Sequence, residues 1–161
     1  MRWKGGFIAS NRLACGAGFV ADSGTMNHPA VFHPRNADMP KPGLPLSPCV
    51  CYGDLIFVSG QASVDADGKM VPDTFEGEFR RSLANLAKVL EAAGSDFDHV
   101  IQTRNCVRDA ADLPRFNELY REFFFEPFPA RTTITNCLPP PLRYEIEVVA
   151  VRRPPMLAAI K

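Results

Sequence analysis

The sequence predicts a single α+β domain in which a mixed β-sheet carries two helices on one face. Runs of β-branched and aromatic residues mark strands, and two stretches repeat apolar residues at three- and four-residue steps, as amphipathic helices do. Both helices separate strands, so the predicted order is β-β-β-α-β-α-β-β. With 161 residues the chain is long enough for one domain with a substantial core and too short for two.

The first two predicted strands form a hairpin. Residues 46–52 indicate an edge strand, because Pro48 cannot donate a hydrogen bond to a neighbouring strand. Gly53 and Asp54 mark the turn, and residues 55–61 form a continuous apolar strand that ends near a glycine.

A short third strand is predicted around residues 69–71, after a turn at residues 65–68. The turn sequence Asp-Ala-Asp-Gly is similar to the start of a calcium-binding loop. The later ligand positions and the terminal Glu of such a loop are absent, so we assign these residues to turn formation.

Both predicted helices have a capping residue and one apolar side. Asp73 or Thr74 caps the first helix and Gly94 ends it. Asp112 caps the second helix, and Pro114 suits its first turn. The apolar sides contain Phe75, Phe79, Leu83, Leu86 and Leu90 in the first helix, and Leu113, Phe116, Leu119, Tyr120, Phe123 and Phe124 in the second.

The last two predicted strands carry the candidate residues Arg131 and Glu145. A further strand is predicted between the helices, at residues 100–107. If the last two strands pair as neighbours, the guanidinium and the carboxylate come near one cleft and can hold an anionic substrate and a water molecule. The buried face of the final strand is predicted to contain Ile146, Val148 and Ala150.

Helices on only one face leave the other face of the sheet to be buried in some other way. In a chain of this size, we expect oligomerisation to cover that face.

The domain is predicted at residues 42–155, after an N-terminal extension at 1–41 and before a short tail at 156–161. The extension is interpreted as flexible, or as residues that precede a true start at Met26; a poor signal or transit sequence is the alternative.

Composition limits the function and the cellular compartment. Lys+Arg and Asp+Glu number 18 each, so no overall positive charge favours nucleic acid as a partner. The five cysteines are odd in number and sparse, which indicates reduced thiols in the cytoplasm rather than a disulfide framework. The three histidines are scattered, which argues against a structural zinc site. The sequence contains no apolar run near the roughly 20 residues of a membrane span.

Five blocks in register resemble one protein family. They lie at residues 53–61, 83–94, 117–124, 129–132 and 145–147, and they are similar to the Rid family, also called YjgF/YER057c/UK114, the reactive intermediate deaminases. The resemblance implies a chorismate-mutase-like fold and a homotrimer with active sites in clefts between subunits. It also implies hydrolysis of reactive 2-imino or enamine acids, such as 2-aminoacrylate and 2-iminopropanoate, to 2-keto acids and ammonia.

The resemblance assigns roles to individual residues. Arg131 matches the arginine that binds the substrate carboxylate, and Glu145 matches the glutamate that holds or activates the attacking water. Thr133 matches a position whose backbone contacts substrate, and Asn117 and Ser59 match positions that line or support the cleft. No metal, cofactor or covalent nucleophile is expected, because an imine is already electrophilic.

One departure leaves the substrate open. Leu46 occupies the position of a tyrosine that deaminase members often carry, so the pocket lacks one hydroxyl. Two alternatives therefore stand beside the deaminase: a module of the same fold that binds small carboxylates without turnover, and a pathway-specific hydrolase of a larger imine or amide. RNA cleavage, a role attached to some family members, is disfavoured by the balanced charge.

Overall fold

A six-stranded mixed β-sheet organises residues 30–154, which are the residues described by this computed structural model. The strands lie in the spatial order β1-β2-β3-β6-β4-β5, and β4 and β5 form the parallel pair while the other neighbours are antiparallel. The predicted mixed sheet is confirmed. The strand bounds are β1 Val31–Phe32, β2 Cys49–Tyr52, β3 Leu55–Ala62, β4 Val100–Val107, β5 Ala130–Thr135 and β6 Tyr144–Val151.

The predicted hairpin is β2 and β3. Tyr52 pairs with Leu55, and Gly53 in the turn has a φ of 59°, a left-handed conformation that glycine adopts without steric cost. The third strand predicted at residues 69–71 is wrong, because only Met70 makes an isolated bridge to Val64.

The eight-element order is nevertheless confirmed, because another strand replaces the one predicted at 69–71. This strand is β1, which lies within the predicted extension 1–41 and pairs with β2. Residues 1–29, with the proposed start at Met26, and the tail at 156–161 lie outside the described residues.

Two α-helices cover one face of the sheet: α1, Phe75–Ala92, and α2, Leu113–Tyr120. Thr74 caps α1 by accepting a hydrogen bond from the amide of Gly77, and Gly94 follows the helix with a φ of 78°. Asp112 precedes α2 as predicted, but its side chain makes no capping hydrogen bond. Phe123 and Phe124, which were predicted on the apolar side of the second helix, lie just after its end.

The core lies between the helices and the sheet. All five residues of the predicted apolar stripe of α1 are buried, and so are Ile146, Val148 and Ala150 of β6. Aromatic rings fill its centre: the Tyr144 ring lies 4.6 Å from that of Phe79 and 5.9 Å from that of Phe116.

The opposite face of the sheet has no helix over it within residues 30–154. Its strands expose large apolar side chains, among them Phe57 and Ile101, each 47% accessible. Between them Arg104 and Glu147 form an ion pair across β4 and β6. We call this surface the open face.

No helix in the described part of the chain is long and apolar enough to cross a membrane.

A buried carboxylate fastens α1 to the start of β6. Glu78 is only 1% accessible, and its two oxygens accept hydrogen bonds from the backbone amides of Asp73, at 3.2 Å, and Arg143, at 2.7 Å. The carboxylate thereby satisfies two amides that α1 and the β5–β6 connection would otherwise leave without partners.

Replacing Glu78 with alanine is expected to lower the free energy of unfolding by about 2–4 kcal/mol, because two backbone amides lose their acceptor. Urea unfolding of the purified chain measures this, with Glu91→Ala on the exposed side of α1 as the control. Glu78→Gln retains one acceptor oxygen and is expected to fall between the two. Equal stability of Glu78→Ala and Glu91→Ala would contradict this role.

Candidate active site

Arg131 lies on the helix-covered side of the sheet, at its edge. β5 is the edge strand, and Arg131 pairs with Thr103 of β4, which is fully buried beneath α2. The guanidinium carbon lies 5.2 Å from the ring centroid of Phe116 and 4.9 Å from that of Tyr120. Two aromatic rings of α2 thus hold the arginine by cation–π contact and leave its N–H groups available.

The guanidinium of Arg131 has no carboxylate partner among residues 30–154. Other arginines of the described chain, such as Arg80 and Arg115, pair with Glu side chains at 2.7–2.8 Å. A charged fork without an internal counter-ion, fixed against rings, is a suitable receptor for an external planar anion such as a carboxylate.

The residues around Arg131 form a small cleft. It has a volume of about 240 Å³, which is enough for a small ligand. The cleft brings together two of the predicted site residues, Arg131 and Asn117. Its lining consists of Asn117, Tyr120, Arg121, Phe128, Pro129 and Arg131.

A chain of buried hydrogen bonds supports this cleft from below. The hydroxyl of Tyr144 donates to Oδ1 of Asn105 at 2.7 Å, and Nδ2 of Asn105 donates to Oγ1 of Thr103 at 3.1 Å and to the carbonyl oxygen of Thr132 at 3.3 Å. Thr103 Oγ1 in turn lies 3.0 Å from the hydroxyl of Tyr120. The chain fixes the ring on which Arg131 stacks.

The positive charge of Arg131 affects the pKa values of two tyrosines in this network. Burial raises the pKa of the Tyr120 hydroxyl and of the Tyr144 hydroxyl, while the nearby Arg131 acts in the opposite direction on both. Both phenols therefore remain neutral hydrogen-bonding groups at physiological pH.

Sequence reasoning missed Thr103 and Asn105. The signal was a pair of polar residues at alternate positions of a strand, on the side that the helices cover.

Thr133 follows Arg131 on the same side of β5, opposite Asn105. Its Oγ1 is buried and has no hydrogen-bond partner in the described part of the chain. The structure therefore places Thr133 in line with Arg131, on an edge strand whose outer backbone groups have no ladder partner within residues 30–154.

Glu145 lies on the open face. It pairs with Cys106 of β4 and Ala62 of β3, and it alternates with the buried residues of β6. A side chain at Gly60 would collide with the carboxylate of Glu145, so glycine provides the space that this group occupies. Burial, and then the negative charge of Glu147, raise the pKa of the Glu145 carboxyl. A proton acceptor with a raised pKa suits general base catalysis near neutral pH.

Ser59 also lies on the open face. Its hydroxyl donates a hydrogen bond of 2.7 Å to the carbonyl oxygen of Ser47 and so fastens the segment before β2 to β3. Ser59 also lines a shallow depression of the open face together with Phe57 and Glu147. The described geometry groups Ser59 with Glu145 on this face and not with Arg131.

The last two strands are not neighbours, and the prediction that depended on their pairing is wrong. β4 lies between β5 and β6. Register places Arg131 beside Thr103 on the covered side, whereas Glu145 lies beside Cys106 on the open face. One copy of the chain therefore holds the two candidate groups on opposite faces of its sheet.

The sequence profile of the family described as Endoribonuclease L-PSP matches residues 36–152. The chain belongs to this family, which is also called the Rid or YjgF family. It is 35% identical over 118 residues to the human 2-iminobutanoate/2-iminopropanoate deaminase, covering 72% of this chain and 86% of the relative. It is 40% identical over 101 residues to the mitochondrial protein mmf2 of Schizosaccharomyces pombe, covering 63% and 79%.

The fold agrees with this membership. A crystal structure of a Rid family protein from Yersinia pestis superimposes with a TM-score of 0.70 at 29% identity, over 76% of this chain and 99% of that one. Two helices on one face of a mixed sheet are therefore the family architecture, as the sequence predicted. Among residues 30–154, no group of three or more His, Cys, Asp or Glu side chains is placed to hold a metal ion.

Removing the ring beneath Arg131 is expected to weaken anion binding in the cleft. Tyr120→Leu loses the cation–π contact and should raise the Kd for pyruvate, a small 2-keto acid, by roughly 5- to 30-fold, from about 1–2 kcal/mol of lost contact. Tyr120→Phe retains the ring and should have a smaller effect. Calorimetric titration of the three proteins measures both. Equal Kd values for Tyr120→Leu and the parent would contradict a role for the ring in holding the arginine.

Proposed function

We propose that this chain hydrolyses reactive 2-imino and enamine acids to 2-keto acids and ammonia. The observation that carries the proposal is the guanidinium of Arg131, which is stacked on two rings in a small cleft and has no carboxylate partner among the described residues. Membership of the Rid family and 35% identity to a relative named as a 2-iminobutanoate/2-iminopropanoate deaminase support the reaction class.

Arg131 orients the substrate. Its fork of N–H donors meets the substrate carboxylate in two parallel hydrogen bonds, which fixes the direction of the neighbouring imine carbon. Asn117 and the backbone of Thr133 border the same side of the molecule and supply further polar contacts. Tyr120 and Phe128 give the cleft an apolar wall for a short side chain.

Glu145 supplies the base. A water molecule held by its carboxylate adds to the electrophilic imine carbon, and the carboxylate takes the proton that the water loses. The same carboxyl then returns this proton to the nitrogen, which gives an amino alcohol. It next carries the hydroxyl proton to the nitrogen, so that the C=O bond of the keto acid forms as the C–N bond breaks and ammonia leaves. The steps need only a positioned water and these two side chains, because the imine is activated before it binds.

The site is completed by a second copy of the chain. Arg131 and Glu145 lie on opposite faces of one sheet, so they meet only if the β5 edge of one copy approaches the open face of the next. The apolar residues of the open face supply the contact area, and a homotrimer with clefts between subunits satisfies both requirements. Sedimentation of the full chain at the mass of three copies is the expected result, and a monomer would contradict this part of the proposal.

Leu46 bears on which imino acid is used. Its side chain is exposed in a single copy, at the position where deaminase members often carry tyrosine. A panel of imino acids with short, branched and aromatic side chains separates general imine clearance from a pathway-specific hydrolase of a larger imine or amide. Binding of a keto acid without hydrolysis of any member of the panel would instead identify a binding module.

The cytoplasm is the proposed compartment, supported by a cysteine content that is odd in number and too sparse for a disulfide framework. The relative from Schizosaccharomyces pombe is a mitochondrial protein, so fractionation of the cells that make this chain decides between the two.

Arg131→Ala is expected to lower turnover of 2-aminoacrylate by at least about a hundredfold, because a bidentate charged contact and the substrate orientation are both lost. The imine is generated in place by a serine dehydratase, and the imine that remains is trapped with semicarbazide. Arg115→Ala is the matched control, since Arg115 pairs with Glu76 and Glu118 away from the cleft.

Two results would contradict the proposal. Full turnover by Arg131→Ala would exclude the arginine as the carboxylate receptor. Background rates for the parent and both variants across the panel of imino acids would exclude the deaminase itself.

Turnover is expected to fall as the pH decreases through the pKa of Glu145, because only the ionised carboxylate accepts a proton. Burial, and then the negative charge of Glu147, raise that pKa. Glu147→Gln should therefore shift the acid side of the kcat profile to lower pH. A profile that keeps its position, or moves to higher pH, would contradict the role of Glu145 as the base.

A further inference from the structure

Two thiols lie close together next to Glu145. Cys106 of β4 pairs with Glu145 of β6 on one side and with Ile134 of β5 on the other. Cys137 follows the end of β5, and its Sγ lies 3.8 Å from the carbonyl oxygen of Ile134. Cys137 therefore lies next to Ile134, the residue of β5 that pairs with Cys106.

A backbone turn and two hydrogen bonds at Asn136 fix the position of the segment that carries Cys137. Asn136 follows β5 with a φ of 59°, a left-handed conformation that turns the chain sharply. Its amide donates to the carbonyl oxygens of Val107, at 3.3 Å, and Arg108, at 3.2 Å. The residue before Cys137 is therefore tied to the end of β4, one and two residues beyond Cys106.

The two thiols differ in exposure and interact with each other. Cys137 is exposed, whereas Cys106 is half-buried, and neither is in a disulfide. Burial, followed by the nearby Cys137 thiol and the charges of Glu145 and Glu147, raises the pKa of the Cys106 thiol to about 12. An exposed thiol that an oxidant can reach, next to a second thiol, is the arrangement in which oxidation ends in a disulfide.

We propose that Cys106 and Cys137 form a peroxide-sensitive thiol pair, which hydrogen peroxide converts to an intramolecular disulfide beside Glu145. The thiolate of Cys137 attacks one peroxide oxygen, so that an S–O bond forms, the O–O bond breaks and hydroxide leaves to become water. The sulfur of Cys106 then attacks the Cys137 sulfur: the S–S bond forms, the S–O bond breaks, and a second water leaves with the proton of Cys106. Two thiols lose two electrons and hydrogen peroxide gains them.

The disulfide is expected to lower turnover reversibly, a consequence that rests on the proposed function. It fixes the segment after β5 to β4 and places two joined sulfurs against the residue that acts as the base. A roughly tenfold loss is expected, since displacement of a reacting group by about 1 Å can cost up to about a hundredfold.

The test treats the full-length reduced protein with hydrogen peroxide and maps its peptides by mass spectrometry before and after reduction with dithiothreitol. The expected product is a cross-linked peptide pair that contains Cys106 and Cys137 and has lost two hydrogen atoms. Cys137→Ser should not form it, and Cys15→Ser should form it as readily as the parent. Turnover is measured on the same samples.

The outcomes separate the thiol chemistry from the deaminase. Unlinked Cys106 together with sulfinic acid at Cys137, or a disulfide to another cysteine, would overturn the thiol pair. A cross-link with unchanged turnover would overturn the regulatory consequence. A cross-link in a protein that hydrolyses no imino acid would leave the pair established and refute the proposed function instead.

Discussion

Strand β4 lies between β5 and β6, and this order decides which side chains can meet. Residues at the same level of neighbouring strands point to the same face, so the alignment of Arg131 with Thr103 directs the arginine towards α2. The alignment of Glu145 with Cys106 directs the glutamate to the open face. Under the proposed function, a single copy therefore carries two incomplete half-sites, one with a receptor for an anion and one with a base. The exposed apolar side chains of the open face provide a reason for copies to associate.

The side chains around Arg131 are fixed in position before a ligand binds. The arginine rests on Phe116 and Tyr120, and the Tyr120 hydroxyl is held by Thr103 at the end of a hydrogen-bonded chain from the core. Little ordering of the arginine then remains to be done when a carboxylate binds, which lowers the entropic cost of binding. The half-site around Glu145 has a different character, because burial and a like charge favour its neutral form and so make it a stronger base once ionised.

Local features of the fold could be predicted from the sequence, and non-local ones could not. The caps at Thr74 and Gly94, the stripe of α1 and the turn at Gly53 depend on residues close in sequence, and these predictions are confirmed. The strand order depends on pairings between distant segments, which is why the neighbour pairing of the last two strands was wrong. Glu78 was missed because a buried carboxylate satisfied by backbone amides has no periodic signal.

The same division holds for the site. The resemblance identified Arg131 and Asn117, and the structure brings both into one cleft. It could not show that Glu145 and Ser59 lie on the other face, because that follows from register alone. The proposed pairing of Cys106 with Cys137 likewise depends on how the chain after β5 returns to the end of β4.

In the proposed assembly, Arg131 of one copy and Glu145 of another act on the same substrate. Co-expression of Arg131→Ala and Glu145→Gln chains with different tags, purified through both tags, tests it directly. Each mixed trimer would contain one interface with both residues intact, so about one third of the parental turnover is expected from two variants that are each inactive alone. Mixed trimers as inactive as the separate variants would contradict it.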